Sequence, residues 1–196
     1  MSHIIVGLGN PGEEYENTRH NTGRTAIEYF AKMHDFLPWQ NDRKTQALLC
    51  SGTINKEKVL LLEPQTFMNK SGASVKPLIT SAKKAETLVV VHDDIDLPLG
   101  SLKISFGRGS GGHRGIESII RAIKTKNFTR IRIGIAGVTP SGKIKKPKGE
   151  KEILSFIIGA FKPKESETMK KMENQISKAI KTLVIDGRAI AMNRFN

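Results

Sequence analysis

Apolar and polar positions along the chain repeat with two periods. His3–Leu8 is a short, almost wholly apolar run that opens on glycine and predicts a buried strand. After Asn21, residues Ala26, Ile27, Phe30 and Ala31 recur at helical spacing and predict a helix. "QALLCSGTI" and "KVLLLEP", separated by the polar "NKE", predict neighbouring strands in a hairpin. "TFMNKSGASVKPLIT" places Asn69 and Ser71, both N-cap residue types, ahead of a helix ending near Thr80. "TLVVVHDD" predicts an apolar strand that ends in acids, and "SLKISFG" alternates as a further strand. In "GIESIIRAIKT", Ile116, Ile119, Ile120 and Ile123 share one helix face, and Glu117 lies near the positive N-terminal end. "RIRIGIAG" alternates arginine with isoleucine, the pattern of a strand with one wet face carrying Arg130 and Arg132. Pro163 opens a last helix with an apolar stripe of Met169, Met172, Ile176, Ala179, Ile180 and Leu183, and Gly187 stands where a C-cap would.

Strands alternating with helices predict an α/β fold: a single-domain three-layer sandwich, with a twisted mixed β-sheet flanked by helices, over residues 1–196. Residues 138–151, "VTPSGKIKKPKGEK", are rich in lysine and proline and nearly devoid of apolar side chains. They predict a mobile basic loop within that domain, not a boundary.

Charge adds the first functional clue. Thirty-two Lys and Arg against 19 Asp and Glu give a net charge of +13, which concentrates polyanions at the surface. Nucleic acid is the commonest such partner. No stretch approaches the ~20 consecutive apolar residues of a membrane span. The start "MSHIIVGLGN" has no secretory pattern, and a cytoplasmic setting is expected. Cys50 is the only cysteine, so no disulfide can form within the chain. It lies in an apolar strand, as inert packing would.

Three polar clusters carry candidate chemistry. Gly7–Asn21, "GLGNPGEEYENTRHN", resembles a dinucleotide loop but fails on spacing. Pro11 stands where the phosphate-bearing helix should begin, and a polar segment follows. "HDDIDLPLG" puts Asp93, Asp94 and Asp96 at the carboxyl end of a strand. They could bind Mg²⁺, orient a histidine, or cap a turn. "GRGSGGHRGIESI" leads a glycine loop into a helix whose N-terminus can hold an anion, with Arg108, Arg114 and Lys103 around it. A buried or capping role is favoured for His113. There is no G-x-S-x-G elbow, no P-loop and no cysteine pair for zinc. A hydrolase of this composition would use water as nucleophile, with an acid-backed histidine as base.

These segments, with "FMNKSG" between them, resemble in order and spacing the signatures of the bacterial-type peptidyl-tRNA hydrolase family. The resemblance covers essentially the whole chain. It implies an enzyme that hydrolyses the ester joining a peptide to the terminal ribose of tRNA, freeing tRNA for translation. It implies His20 as base, Asp93 as the acid that orients it, and Asn10 as an amide favouring a blocked amino group. It implies that Tyr15, Phe67 and Asn69 line the substrate site with Met68 beside them, and that Asn21 and Gly112 contribute. It implies no metal or cofactor, no obligate protein partner, and a monomer. One residue departs from the pattern: Arg114 stands where the family has asparagine. Arginine cannot accept a hydrogen bond, but it can grip a phosphate or carbonyl. Lys143, Lys145, Lys146, Lys148 and Lys151, with Lys103, Arg130 and Arg132, are expected to meet tRNA phosphates without reading sequence. Two rival readings are an RNA-binding protein with idle catalytic groups and a Mg²⁺-dependent phosphoryl enzyme built on "DDID".

Overall fold

A computed structural model describes residues 3–196; Met1 and Ser2 of the expected domain lie outside the described residues. In chain order the elements are β1 (His3–Gly7), α1 (Thr22–Met33), β2 (Gln40–Asp42), β3 (Ala47–Ile54), β4 (Glu57–Pro64), α2 (Ser71–Val75), α3 (Ala82–Ala85), β5 (Leu88–Pro98) and β6 (Leu102–Phe106). They continue with α4 (Arg114–Ile123), β7 (Thr129–Val138), β8 (Ile144–Lys145), α5 (Glu150–Ile158), α6 (Pro163–Ile185) and α7 (Arg188–Phe195).

The strands form one mixed sheet in the order β2-β3-β4-β1-β5-β7-β6, with β8 paired to β7. β1 lies parallel to β4 and β5, and β5 lies parallel to β7. β3, β6 and β8 run antiparallel to their partners. Gly7 pairs in register with Val91. The loop leaving β1 therefore emerges beside Asp93, at the carboxyl end of the parallel strands where α/β sheets place ligands.

Side-chain alternation splits the core into two layers. Ile5, Val89, Val91, Ile131 and Ile133 face α1 and α6. Ile4, Val6, Leu88 and Val90 face the other way, onto Val75 of α2 and Ile116 and Ile119 of α4. Ile116 and Ile119 are fully buried, and truncating either to alanine would cost ~2–5 kcal/mol. α1 docks unusually close to the sheet. A Cβ on Gly23 would sit 2.2 Å from the Val91 carbonyl oxygen and 2.8 Å from the Leu8 nitrogen. Only glycine lets the helix that follows His20 approach the ends of β1 and β5.

The β3–β4 hairpin forms as expected. Its turn residues Asn55 and Lys56 both have positive φ, the conformation that matches strand twist in a two-residue turn. Other expectations are corrected. The helix expected to end near Thr80 is broken into a 3-10 turn (Met68–Lys70), α2 and a second 3-10 turn (Lys76–Leu78). Pro77 lacks the N–H that a longer helix would need. Neither Asn69 nor Ser71 caps a helix; the Ser71 hydroxyl donates to the Met68 carbonyl. Segment 138–151 is not all loop. Ile144 and Lys145 pair with Val138 and Gly137, and α5 begins at Glu150. The helix opened by Pro163 is not the last, because α7 follows Gly187. The arginine face of β7 is not wet. Arg130 is 4% exposed, and burial together with neighbouring Arg132 lowers its pKa.

Candidate active site

At the carboxyl edge of the sheet, β5 delivers Asp93 into a buried ring of imidazoles. Asp93 is 2% exposed. His20, on a 3-10 turn (Arg19–Asn21) leading into α1, places Nδ1 2.9 Å and 3.0 Å from the two Asp93 carboxylate oxygens. His113 reaches the same carboxylate from α4, with Nε2 3.1 Å from Oδ1.

The hydrogen bonds assign the His113 tautomer. Its Nδ1 accepts the backbone N–H groups of Gly115 and Ile116, so the proton sits on Nε2 and is donated to Asp93. His113 thus caps α4 and braces Asp93 together. His92, fully buried, donates from Nδ1 to the Asp93 carbonyl at 2.7 Å. Burial and the facing His113 keep its pKa well below the usual imidazole value. Burial by itself would raise the Asp93 carboxyl. The imidazoles of His20 and His113 outweigh it and hold Asp93 well below the ordinary carboxylate range. With Nδ1 of His20 turned to a carboxylate, its Nε2 is left for the cleft that His20 lines.

Asn10 forms the opposite side. Its carboxamide Oδ1 accepts the Met68 N–H at 2.8 Å, which turns Nδ2 toward the cleft. Its own peptide is clasped by Asn21, whose Oδ1 accepts the Asn10 N–H and whose Nδ2 donates to the Asn10 carbonyl.

The cleft has a volume of about 770 Å³. Phe67, Met68 and Asn69 form one wall, and Gly112 and Arg114 form its rim. The other wall is α5, through Ile153, Leu154, Ile157 and Ile158. Phe67 is 55% exposed and meets Tyr15 edge-on at 6.3 Å. Two ion pairs span the mouth: Arg114 with Glu150, and Lys146 with Asp96 at 2.5 Å.

Of the residues expected in the site, Asn10, His20, Phe67, Met68, Asn69, Asp93, Gly112 and Arg114 line this cleft. Asn21 stands behind Asn10, and Tyr15 behind Phe67. Lys103 and Arg132 are not among the lining residues. They face each other across β6 and β7, and Arg132 pairs with Asp94 at 2.6 Å. The three acids of "DDID" therefore divide their roles: Asp93 to histidines, Asp94 to Arg132, Asp96 to Lys146.

Sequence reasoning missed Arg19. It is 6% exposed and donates to the Phe156 and Gly159 carbonyls and to Glu165. Its guanidinium stacks on Phe156 at 4.5 Å. It ties the His20 turn to the end of α5 and the start of α6. An arginine beside the histidine of "TRHN" was the one available signal.

Among the described residues, the grouping with metal-ligand spacing is His20, Asp93 and His113, with ligand atoms within 4.8 Å of one another. His20 Nδ1, His113 Nε2 and the Asp93 carboxylate already engage one another, and His113 Nδ1 engages a helix N-terminus. An ion there would compete with the hydrogen bonds that join these three side chains.

A model of the peptidyl-tRNA hydrolase family matches residues 4–196. The chain belongs to the peptidyl-tRNA hydrolase family. It is 43% identical over 195 residues to the peptidyl-tRNA hydrolase of Alkaliphilus oremlandii, covering 99% of each chain. It is 40% identical to that of Herpetosiphon aurantiacus, covering 98% of this chain and 89% of the relative. The crystal structure of peptidyl-tRNA hydrolase from Acinetobacter baumannii superposes with a TM-score of 0.88 at 34% identity, covering 99% of this chain and 94% of that one. As a peptidyl-tRNA hydrolase family member the chain is a hydrolase associated with translation, built as a single α/β domain. Among the described residues no helix is long and apolar enough to cross a membrane.

Proposed function

We propose that the cleft hydrolyses the ester of peptidyl-tRNA with a water activated by His20 and without a metal. The buried contact of His20 Nδ1 with both Asp93 oxygens carries this reading, because it leaves Nε2 as the free basic atom. The water gives a proton to Nε2 as its oxygen adds to the ester carbonyl carbon. Asp93 steadies the imidazolium that forms. The Asn10 Nδ2 donates to the developing oxyanion or to the peptide carbonyl, without competing for the proton. Collapse breaks the bond to the ribose oxygen, which recovers the proton from His20. The products are a free peptide carboxylate and a tRNA with its terminal hydroxyl restored.

Phe67, Tyr15, Met68, Asn69 and the apolar face of α5 hold the peptide and the terminal nucleotide, and Asn21 and Gly112 shape the cleft around them. Arg114, Lys103 and Arg132 meet tRNA phosphates, and the lysines of the 138–151 segment, mobile when substrate is absent, extend that surface. The enzyme works as a monomer in the cytoplasm, with no obligate protein partner.

The test offers N-acetyl-aminoacyl-tRNA and unblocked aminoacyl-tRNA, with and without EDTA, to the wild type and His20→Ala. Cleavage of the blocked ester only, resistant to EDTA and lost in the variant, is expected. Binding without cleavage by the wild type, or loss of activity with EDTA, would overturn the proposal.

A further inference from the structure

Behind Asn10 lies a charged group that the reaction itself does not use. Arg24, on the first turns of α1, donates from Nε to the Glu63 carboxylate at 3.0 Å and from Nη1 to the Asn10 carbonyl at 3.1 Å. The Arg24 and Glu63 side chains are only 12% and 3% exposed. Glu28, one helical turn on, places a carboxylate oxygen 3.9 Å from Arg24 Nε.

A buried arginine–carboxyl contact of this kind gives little stability. Desolvation offsets the attraction, and an apolar pair of similar volume often serves as well. Its geometry has a consequence that an apolar pair lacks, because the guanidinium joins three elements at one point. One end is fixed on β4 through Glu63, its stem belongs to α1, and the other end holds the peptide of Asn10. Gly9 makes room for this. A Cβ there would meet the Asn21 side chain at 3.0 Å and Arg24 Cβ at 3.1 Å. Asn21, at the N-cap of α1, and Arg24, in its first turn, thus close on the Asn10 peptide from the same side. Since Oδ1 of Asn10 is already spent on Met68, fixing its peptide fixes where Nδ2 points.

We infer that Arg24, anchored by Glu63, is a positioning residue for the Asn10 carboxamide and sets the preference of this enzyme for N-blocked esters. The inference rests on the proposed role of Asn10 in meeting the substrate. It concerns orientation, so it predicts a loss of discrimination larger than any loss of binding.

Three variants test it: Arg24→Lys, the double variant Arg24→Met with Glu63→Leu, and Asn10→Ala. Arg24→Lys keeps the charge beside Glu63 but lacks the second nitrogen that reaches Asn10. The double variant replaces both side chains with apolar groups, so folding leaves neither the guanidinium nor the carboxyl group without its partner. Each is assayed for kcat and KM on N-acetyl-aminoacyl-tRNA and on the same aminoacyl-tRNA with a free amine, with a thermal melt as control. We expect Asn10→Ala to collapse the ratio of the two kcat/KM values. Arg24→Lys and the double variant should lower it by about threefold to tenfold through kcat, with KM for the blocked ester nearly unchanged. If Asn10→Ala collapses the ratio while both Arg24 variants keep it, the Arg24 inference fails alone. If Asn10→Ala also keeps the ratio, the proposed role of Asn10 is wrong and the inference falls with it.

Discussion

The His113 imidazole sits between a helix and a carboxylate: Nδ1 takes the first N–H groups of α4, and Nε2, 3.1 Å away, donates to Asp93. One ring therefore couples the start of α4 to the acid that orients His20. A substitution can separate the two roles. Asparagine at 113 can still accept from the helix N–H groups but is too short to reach Asp93. His113→Asn is expected to lower kcat by about tenfold with the cap retained. His113→Ala should lower kcat similarly and cost a further ~0.5–2 kcal/mol from the lost cap. Paired kinetics and denaturant melts check this; equal stability of the two variants would exclude the capping contribution.

Asp93→Asn keeps the shape of the acid but removes the charge that, in the proposed reaction, steadies the His20 imidazolium. A drop in kcat of about 10²–10⁴-fold is expected, with a much smaller change in KM. The same residue contributes to stability. Its folded pKa lies below the ordinary 3.8, so the contribution is complete above that pH and is lost as pH falls through the depressed folded value. Acid unfolding curves of Asp93→Asn should be flatter below about pH 4 than those of the wild type.

Glu63 acts in the opposite direction. Burial first, and then the neighbouring Glu28 carboxylate, push its pKa up to about 8, against the opposing pull of Arg24. The folded state then holds a proton that the unfolded state has lost, so stability falls as pH rises from about 5 to 8. Glu63→Gln should flatten that decline. Urea melts at several pH values measure it, and an unchanged slope would rule Glu63 out as its source.

Arg114 and Glu150 are paired at the mouth of the cleft, with side chains 54% and 81% exposed. An exposed pair contributes at most about 1 kcal/mol, so Glu150→Gln should barely move the melting temperature. If Arg114 meets a tRNA phosphate as proposed, Glu150→Gln should lower KM, because it removes the anion that holds Arg114 in the free protein. Arg114→Asn should leave kcat/KM within about tenfold of wild type. A KM that rises in Glu150→Gln would show the pair to be a support for substrate rather than a competitor.

Substrate binding should weaken as salt rises, because each phosphate contact releases counterions. Removing one exposed cation, in Lys103→Ala, should reduce the logarithmic salt slope of KM by about one. A KM that stays flat between low and moderate salt would argue against a phosphate-binding surface.

Much of the fold was legible because its elements are local. The apolar runs of β1, β3, β4 and β5 and the isoleucine face of α4 carry their own periodicity. The polar "NKE" between two apolar runs marked the β3–β4 hairpin. The pairing of His20 with Asp93 was expected only through a family resemblance, since 73 residues separate them and no local pattern joins them.

What the sequence by itself determined was the strands β1 and β3–β7 and the helices α1, α4 and α6, the basic charge of the chain, and which residue types could carry acid–base chemistry without a thiol or a P-loop. Tertiary structure decided the rest. It buried Arg130 inside a strand whose alternation read as wet, because β7 lies within the sheet between β5 and β6 and this side chain is covered as well. It built a strand and a helix from residues 144–158, the strand by pairing with β7 and the helix beside the turn that carries Arg19 and His20. It gave His113 two partners and Asp94 an arginine, and it set Arg24 and Glu63 behind Asn10. Hydrogen bonds of this kind depend on the register of β1 against β5 and on how closely α1 can approach at Gly23. Those are distances between segments far apart in the chain, and no periodicity along the chain encodes them.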